Sequence, residues 1–277
     1  MKPEVLAKLL WPLAIGGALA LLLSTLLGIQ ATLAGLMHAT ILGVLICLGT
    51  AAFACLNILS NARWDRVLRP LMTSVFDTYP IFSLTLLVLL LVASGDLYGW
   101  IHDEHVQHIK GGYLNRPFFL ARSVGIIGIW GILGWRLLKP YQSTLGAQPK
   151  LWAILFILSL APTLSMAAWD WLMSLDPHWY STMFTVYVFA GALQGGIATI
   201  AIVAVYTFRC ERCGASHLDK KVCRDLGSLL FGFSMFWAYI WYCQGMLIWY
   251  ANIPEETEFF SHRLHGPAEP PRWRLPG

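Results

Sequence analysis

The chain has 277 residues, 57% of them hydrophobic and 12% charged, with a net charge of +4. A soluble domain carries about 25% charged residues, so these proportions exclude an ordinary water-soluble globule and call for a surface turned mostly to lipid. In such a protein the positive balance is read loop by loop, and it does not point to nucleic acid.

Seven apolar stretches follow one another, each long enough to cross a bilayer at about 20 residues. They are predicted at Leu10–Ile29, Thr32–Leu59, Ile81–Tyr98, Pro117–Leu138, Leu151–Ser174, Met183–Phe208 and Leu226–Asn252. Lipid offers the backbone no partner, so each is expected to be a helix. The first lacks a convincing cleavage site and is followed at once by another span, so no cleavable signal peptide is expected. The last is uncharged from Leu226 to Ile253, closes on Trp249, Tyr250 and Asn252, and meets Pro254. Aromatics beside polar residues mark a membrane boundary, and proline stops the helix. Residues 1–257 thus read as one transmembrane bundle, and 258–277, with four prolines, as a disordered tail.

Lys and Arg set the expected orientation. Thirteen of them, including Lys2, Arg63, Arg136 and Lys220, fall in the N-terminus and alternate connections. Five fall on the other side: Lys110, Arg116, Arg263, Arg272 and Arg274. The positive-inside rule places the thirteen, and the N-terminus, in the cytoplasm. The expected location is therefore a bacterial inner membrane, crossed several times. The link Asn61–Tyr79 mixes Arg with Trp, Leu, Met and Phe and is predicted to lie as an interfacial amphipathic helix. The link Gly95–Arg116 reads as a polar outer loop.

Two clusters resemble metal sites. Cys210, Cys213, His217 and Cys223 fall in a cytoplasmic loop, with a single CxxC pair. Zinc is one reading and unliganded, reduced thiols the other, which the lone pair favours. His102, His105 and His108 recur every third residue in an outer loop and read as solvated. His38 is the one histidine inside a span, so a bis-histidine haem has no ligand pair, and no cysteine spacing suits an iron–sulfur cluster. The chain is expected to hold no redox cofactor or metal of its own.

Charges within a bilayer are costly and mark function by default. His38, Arg122 and Asp170 fall inside spans towards the outer side. Asp96, Asp176, His178, Glu255 and Glu256 fall at span ends on that side. The cytoplasmic halves of the spans hold almost none. One reading is a cluster that handles protons or quinol. The other is snorkelling at helix ends with one buried Arg122–Asp170 pair that fixes packing.

Three stretches carry a resemblance: LNRPFFLAR at 114–122, WDWLMSLDPHWYSTMFTVYVFAG at 169–191, and DLGSLLFGFSMFWAYIWYCQGMLIWYANIPEET at 225–257. They resemble the ActF-type membrane subunit of alternative complex III, akin to the NrfD and PsrC anchors, over roughly residues 64–257. Gly245 stands where that family usually has an aromatic. The resemblance implies an all-α polytopic membrane protein, an NrfD-like helical bundle. Family members continue with further helices after NIPEET, so it also implies a C-terminally truncated member with the last helices missing. It implies a subunit of a quinol-oxidising respiratory complex that supports the membrane arm and conducts protons or binds quinol. Its partners would be an ActC-like subunit and subunits bearing Fe–S clusters and haem c. A purely structural anchor and a secondary transporter are the alternatives. Against the transporter, no pair of broken helices in matching halves is evident.

The orientation is open to a direct check. In single-cysteine variants, a membrane-impermeant thiol reagent is expected to label His105→Cys from outside and Lys220→Cys only after permeabilisation. The reverse pattern would invert the topology.

Overall fold

The structure, a computed structural model, describes residues 28–141, 150–177, 179–209, 220–253 and 257. Among them it is helical, without a strand. The order is α1 (Ile29–Leu59), a 3-10 turn (Trp64–Val67), α2 (Arg69–Phe76), α3 (Tyr79–Leu97), a 3-10 turn (Gly99–Ile101), α4 (Glu104–Lys110) and α5 (Arg116–Tyr141). Then come α6 (Lys150–Ala167), a π turn (Ala168–Leu172), a 3-10 turn (Met173–Leu175), α7 (Met183–Arg209) and α8 (Lys220–Ala251). Six helical stretches among the described residues are long and apolar enough to cross a membrane. The chain is accordingly a multi-pass membrane protein. The expected first span, Leu10–Ile29, falls almost wholly outside the described residues, as do the tail at 258–277, His178, Glu255, Glu256 and the loop bearing Cys210, Cys213 and His217.

The helix α1 is the hub. Its apolar window is 72% buried, against 11% for α8. Val44, Cys47, Ala51, Ala54 and Cys55 are wholly buried, and α2, α3, α5, α6 and α7 all pack on it. Among lipid-soluble helices, close backbone approach rather than the hydrophobic effect gives contact its energy, and small residues permit it. At the α1–α7 crossing, a Cβ on Gly49 would collide with the Ala192 carbonyl, and one on Gly196 with the Gly49 and Thr50 backbone. Gly134 of α5 likewise leaves room for the Phe76 ring of α2. Among the described residues the helix α8 packs chiefly on α7, through stacked Tyr187 and Trp237 rings and a Gln194–Ser234 hydrogen bond of 3.1 Å.

Three expectations need correction. The link Asn61–Tyr79 is not an interfacial helix. It folds into the bundle as a 3-10 turn and α2, and Asp65, Arg69, Leu71, Met72 and Phe76 are buried. Its mixed composition serves two faces: Leu68 and Met72 enter the core, while Arg69 pairs with Asp65 across one helical turn. The link thus contributes a buried ion pair to the bundle. The link Gly95–Arg116 is not a plain polar loop either, because its Trp100 is almost fully buried against Tyr98 and Phe119. Finally, the last helix begins at Lys220, six residues before the expected span start at Leu226, and Asp225 pairs with neighbouring Arg224 at 3.7 Å within it. Its other end matches expectation: the helix stops at Ala251, and Asn252 takes a left-handed conformation with φ 49.

The close crossing yields a prediction. Gly49→Leu is expected to destabilise the detergent-solubilised protein by about 3 kcal/mol, the upper end of overpacking penalties, because the colliding atoms are backbone. Gly35→Leu, facing open space on the same helix, is expected to stay within about 0.5 kcal/mol. Thermal unfolding of the two variants side by side checks this.

Candidate functional site

The chemistry-bearing residues meet where α5 begins and α6 ends, beside α4. At that end α6 widens into the π turn Ala168–Leu172, the WDW part of the motif. Such single wide turns recur at functional sites. Here the turn buries Asp170 and Trp171 together, while Trp169 stays partly exposed. The Trp171 indole N–H donates to Ser123 Oγ at 3.0 Å, and its ring meets Trp130 edge-on at 5.8 Å. Tyr98 donates its hydroxyl proton to the Trp171 carbonyl at 3.1 Å. The Ser174 hydroxyl donates to the Asp170 carbonyl, tying the next turn to it.

Asp170 is wholly buried and faces Arg122 of α5, which is 8% exposed. The guanidinium donates twice, Nε to Oδ2 at 2.8 Å and Nη2 to Oδ1 at 3.0 Å. Paired parallel bonds of this kind are the strongest ionic geometry available to Arg. The third nitrogen, Nη1, donates to the Tyr113 carbonyl at 3.1 Å. The cation lies 3.9 Å from the centre of the Tyr113 ring and 4.3 Å from that of Phe118, inside the range of cation–π attraction. Arg122 is thus engaged on every side. Tyr113, in the connection before α5, has its phenol pushed up to about 12, first by burial and then by the nearby Asp170 charge. It therefore stays protonated at neutral pH.

One cavity opens beside this pair, and a second adjoins the first. The first, about 350 Å³, is lined by Lys110, Tyr113, Trp169, Met173 and Trp179 among others. The second, about 360 Å³, lies between the 179–183 segment and α8, lined by Tyr239, Cys243, Gln244 and Leu247 among others. Trp179 and Tyr180 belong to both walls, so the cavities adjoin. Lys110 Nζ donates to the Pro177 carbonyl at 2.5 Å across the mouth of the first. Gln244 donates to Ser181 Oγ at 3.1 Å across the second. Mostly apolar walls, sparse polar groups and this size are ordinary for a small-molecule site.

Of the eight candidate residues, the structure joins two, Arg122 and Asp170. Asp176 borders the turn that leads to Trp179, whose backbone N–H donates to the Asp176 carbonyl at 3.2 Å. Asp96 is exposed at the end of α3. His38 is exposed on α1, its Nδ1 2.7 Å from the Ala34 carbonyl, and does not reach the pair. His178, Glu255 and Glu256 lie outside the described residues. His102, His105 and His108 form no metal-holding group, and among the described residues no three His, Cys, Asp or Glu side chains do.

The opposite end of the bundle holds a second site that the sequence did not disclose. Arg69 Nε and Nη2 lie 3.2 and 3.3 Å from the two oxygens of wholly buried Asp65. Tyr141, from the end of α5, donates its hydroxyl proton to the same carboxylate, and its ring centre lies 4.4 Å from the Arg69 guanidinium. The i, i+4 spacing of Asp65 and Arg69 was the available signal; Tyr141, 76 residues on, carried none.

No protein-family model matches the chain, and no curated protein matches it.

The Arg122–Asp170 pair has a distinct mutational signature. Removing one partner strands a buried charge at a cost of about 3–5 kcal/mol, whereas replacing both with apolar residues is often neutral. Asp170→Asn is therefore expected to lower the detergent-state stability by about 3 kcal/mol, and Arg122→Met with Asp170→Leu by clearly less. Thermal unfolding of the single and double variants gives the comparison.

Proposed function

We propose that the chain is an integral-membrane subunit of a quinol-oxidising respiratory complex of the alternative complex III type, with an NrfD-like arrangement of its helices. In this reading it sits in a bacterial inner membrane with its N-terminus in the cytoplasm. The observation that supports the reading is the meeting of the three resembling stretches. LNRPFFLAR joins the WDW stretch through Arg122 and Asp170. The WDW stretch joins the last stretch through Ser181 with Gln244 and Tyr187 with Trp237. Residues scattered over 114–257 thus build one region with two adjoining cavities of a size suited to an aromatic headgroup on an apolar tail.

The subunit's part is to hold the membrane arm and to offer that region to quinol or to released protons. The electrons pass through partner subunits carrying Fe–S clusters and haem c, beside an ActC-like subunit. A second reading is favoured by one feature. Arg122 and Asp170 satisfy each other so fully that the pair suits a fixed clamp, as a purely structural anchor would need.

Purification of the tagged chain from its native membranes in mild detergent tests the assignment. The expected result is co-purification with subunits showing c-type haem bands and with quinol-oxidising activity. Isolation of the chain with no redox-active subunit would refute it. Within the complex, Asp170→Asn separates the two readings. Retained assembly with slowed turnover supports a part in quinol or proton handling, and lost assembly supports the anchor.

A further inference from the structure

The end of α5 carries exposed cations that the fold does not neutralise. Arg136 and Lys139 lie five and two residues before Tyr141, where the helix stops, and both are exposed. They close an apolar span, so they stand at the membrane edge. A tryptophan steadies each. The Arg136 guanidinium lies 5.5 Å from the centre of the Trp152 ring of α6, and Lys139 Nζ lies 4.4 Å from that of Trp135, both inside the range of cation–π attraction. Lys150, also exposed, opens α6 two residues before Trp152. Among the described residues no carboxylate forms an ion pair with Arg136, Lys139 or Lys150. Asp65, buried at this end of α5, is already taken by Arg69 and Tyr141.

A groove leads from these cations along the span. Gly125, Gly128, Ile132, Arg136 and Lys139 are all exposed. They follow one another at three- and four-residue steps, so they share one face of α5. A Cβ on Gly125 or Gly128 would meet nothing within 4 Å, and the face is shallow there. Because Arg136 reaches Trp152, α6 borders this face, and Leu155, one turn on from Trp152, is 40% exposed. From Arg136 to Gly125 is eleven residues, about 16 Å at roughly 1.5 Å per residue. That is close to half of a hydrocarbon core about 30 Å thick. The face thus offers cations at the membrane edge and a shallow apolar channel as long as one leaflet is deep.

We propose that this face binds an anionic phospholipid, its phosphate between Arg136 and Lys139 and an acyl chain along Gly128 and Gly125. A phosphate diester answers cations that no carboxylate of the chain meets, and the planar donors of Arg match its oxygens. A zwitterionic headgroup suits the face less well, because its ammonium would stand among Arg136, Lys139 and Lys150 with no carboxylate beside it. Basic pockets between membrane helices hold anionic headgroups in this way. The proposal is independent of any respiratory role for the chain.

Native mass spectrometry of the full chain in mild detergent, titrated with phosphatidylglycerol or with phosphatidylcholine of the same acyl chains, tests it. The expected result is one tightly held phosphatidylglycerol, with phosphatidylcholine bound about tenfold more weakly or worse. Arg136→Gln with Lys139→Gln should weaken phosphatidylglycerol binding about thirtyfold, the worth of two cations at a membrane surface. Arg66→Gln with Lys220→Gln, which removes two other exposed cations, should leave it unchanged. Gly128→Leu, which fills the channel and keeps the charge, should weaken it by about fourfold or more, the worth of one buried methylene. Glycerol phosphate, which has the phosphate without the acyl chains, should not displace the lipid. Being exposed, all these residues can be changed without disturbing the core, and the wild-type preference stands as a measurement without any variant. Equal affinity for the two lipids, an equal loss in the two double variants, binding indifferent to Arg136→Gln with Lys139→Gln or to Gly128→Leu, or displacement by glycerol phosphate would each overturn the proposal.

Discussion

A guanidinium inside a helical membrane bundle must be met on every side, and this requirement organises both ends of the molecule. Arg122 and Arg69 each face a wholly buried carboxylate through two nitrogens, and each lies over a tyrosine ring. The carboxylate removes the net charge, and the ring covers a flat face that water would otherwise hydrate. Because the donors of Arg are planar and fixed, each pair also fixes angles between the segments that carry it. One pair locks α5 to the end of α6. The other, through Tyr141, locks the far end of α5 to the turn before α2. The helix α5 is thus pinned at both ends, while its middle is set by Gly134 against Phe76 and Trp130 donating to Thr163.

That rigidity positions the cavities. The π turn exists where Asp170 has to reach Arg122 while Trp171 reaches Ser123, two demands that a regular α-turn distributes differently. Widening the turn carries the chain on through Met173–Leu175 to Pro177, where Lys110 holds it. The segment after it crosses towards α8, which is joined to the rest through α7. One wall of the first cavity is therefore clamped, and the α8 wall of the second rests on fewer contacts.

The sequence disclosed the spans well because lipid makes hydropathy and length nearly sufficient. It also offered the Arg122–Asp170 pair, since so few charges fall inside spans that those two had few other partners. It did not disclose Tyr113, whose carbonyl and ring act together only because the chain between α4 and α5 folds back on Arg122. The Asp65–Arg69–Tyr141 cluster escaped for the opposite reason. Its residues sit in a link whose composition also suits an interfacial helix, and only the fold shows that Leu68 and Met72 point inward. His38 was read as a candidate from depth alone, but depth says nothing of which face of a helix a residue occupies.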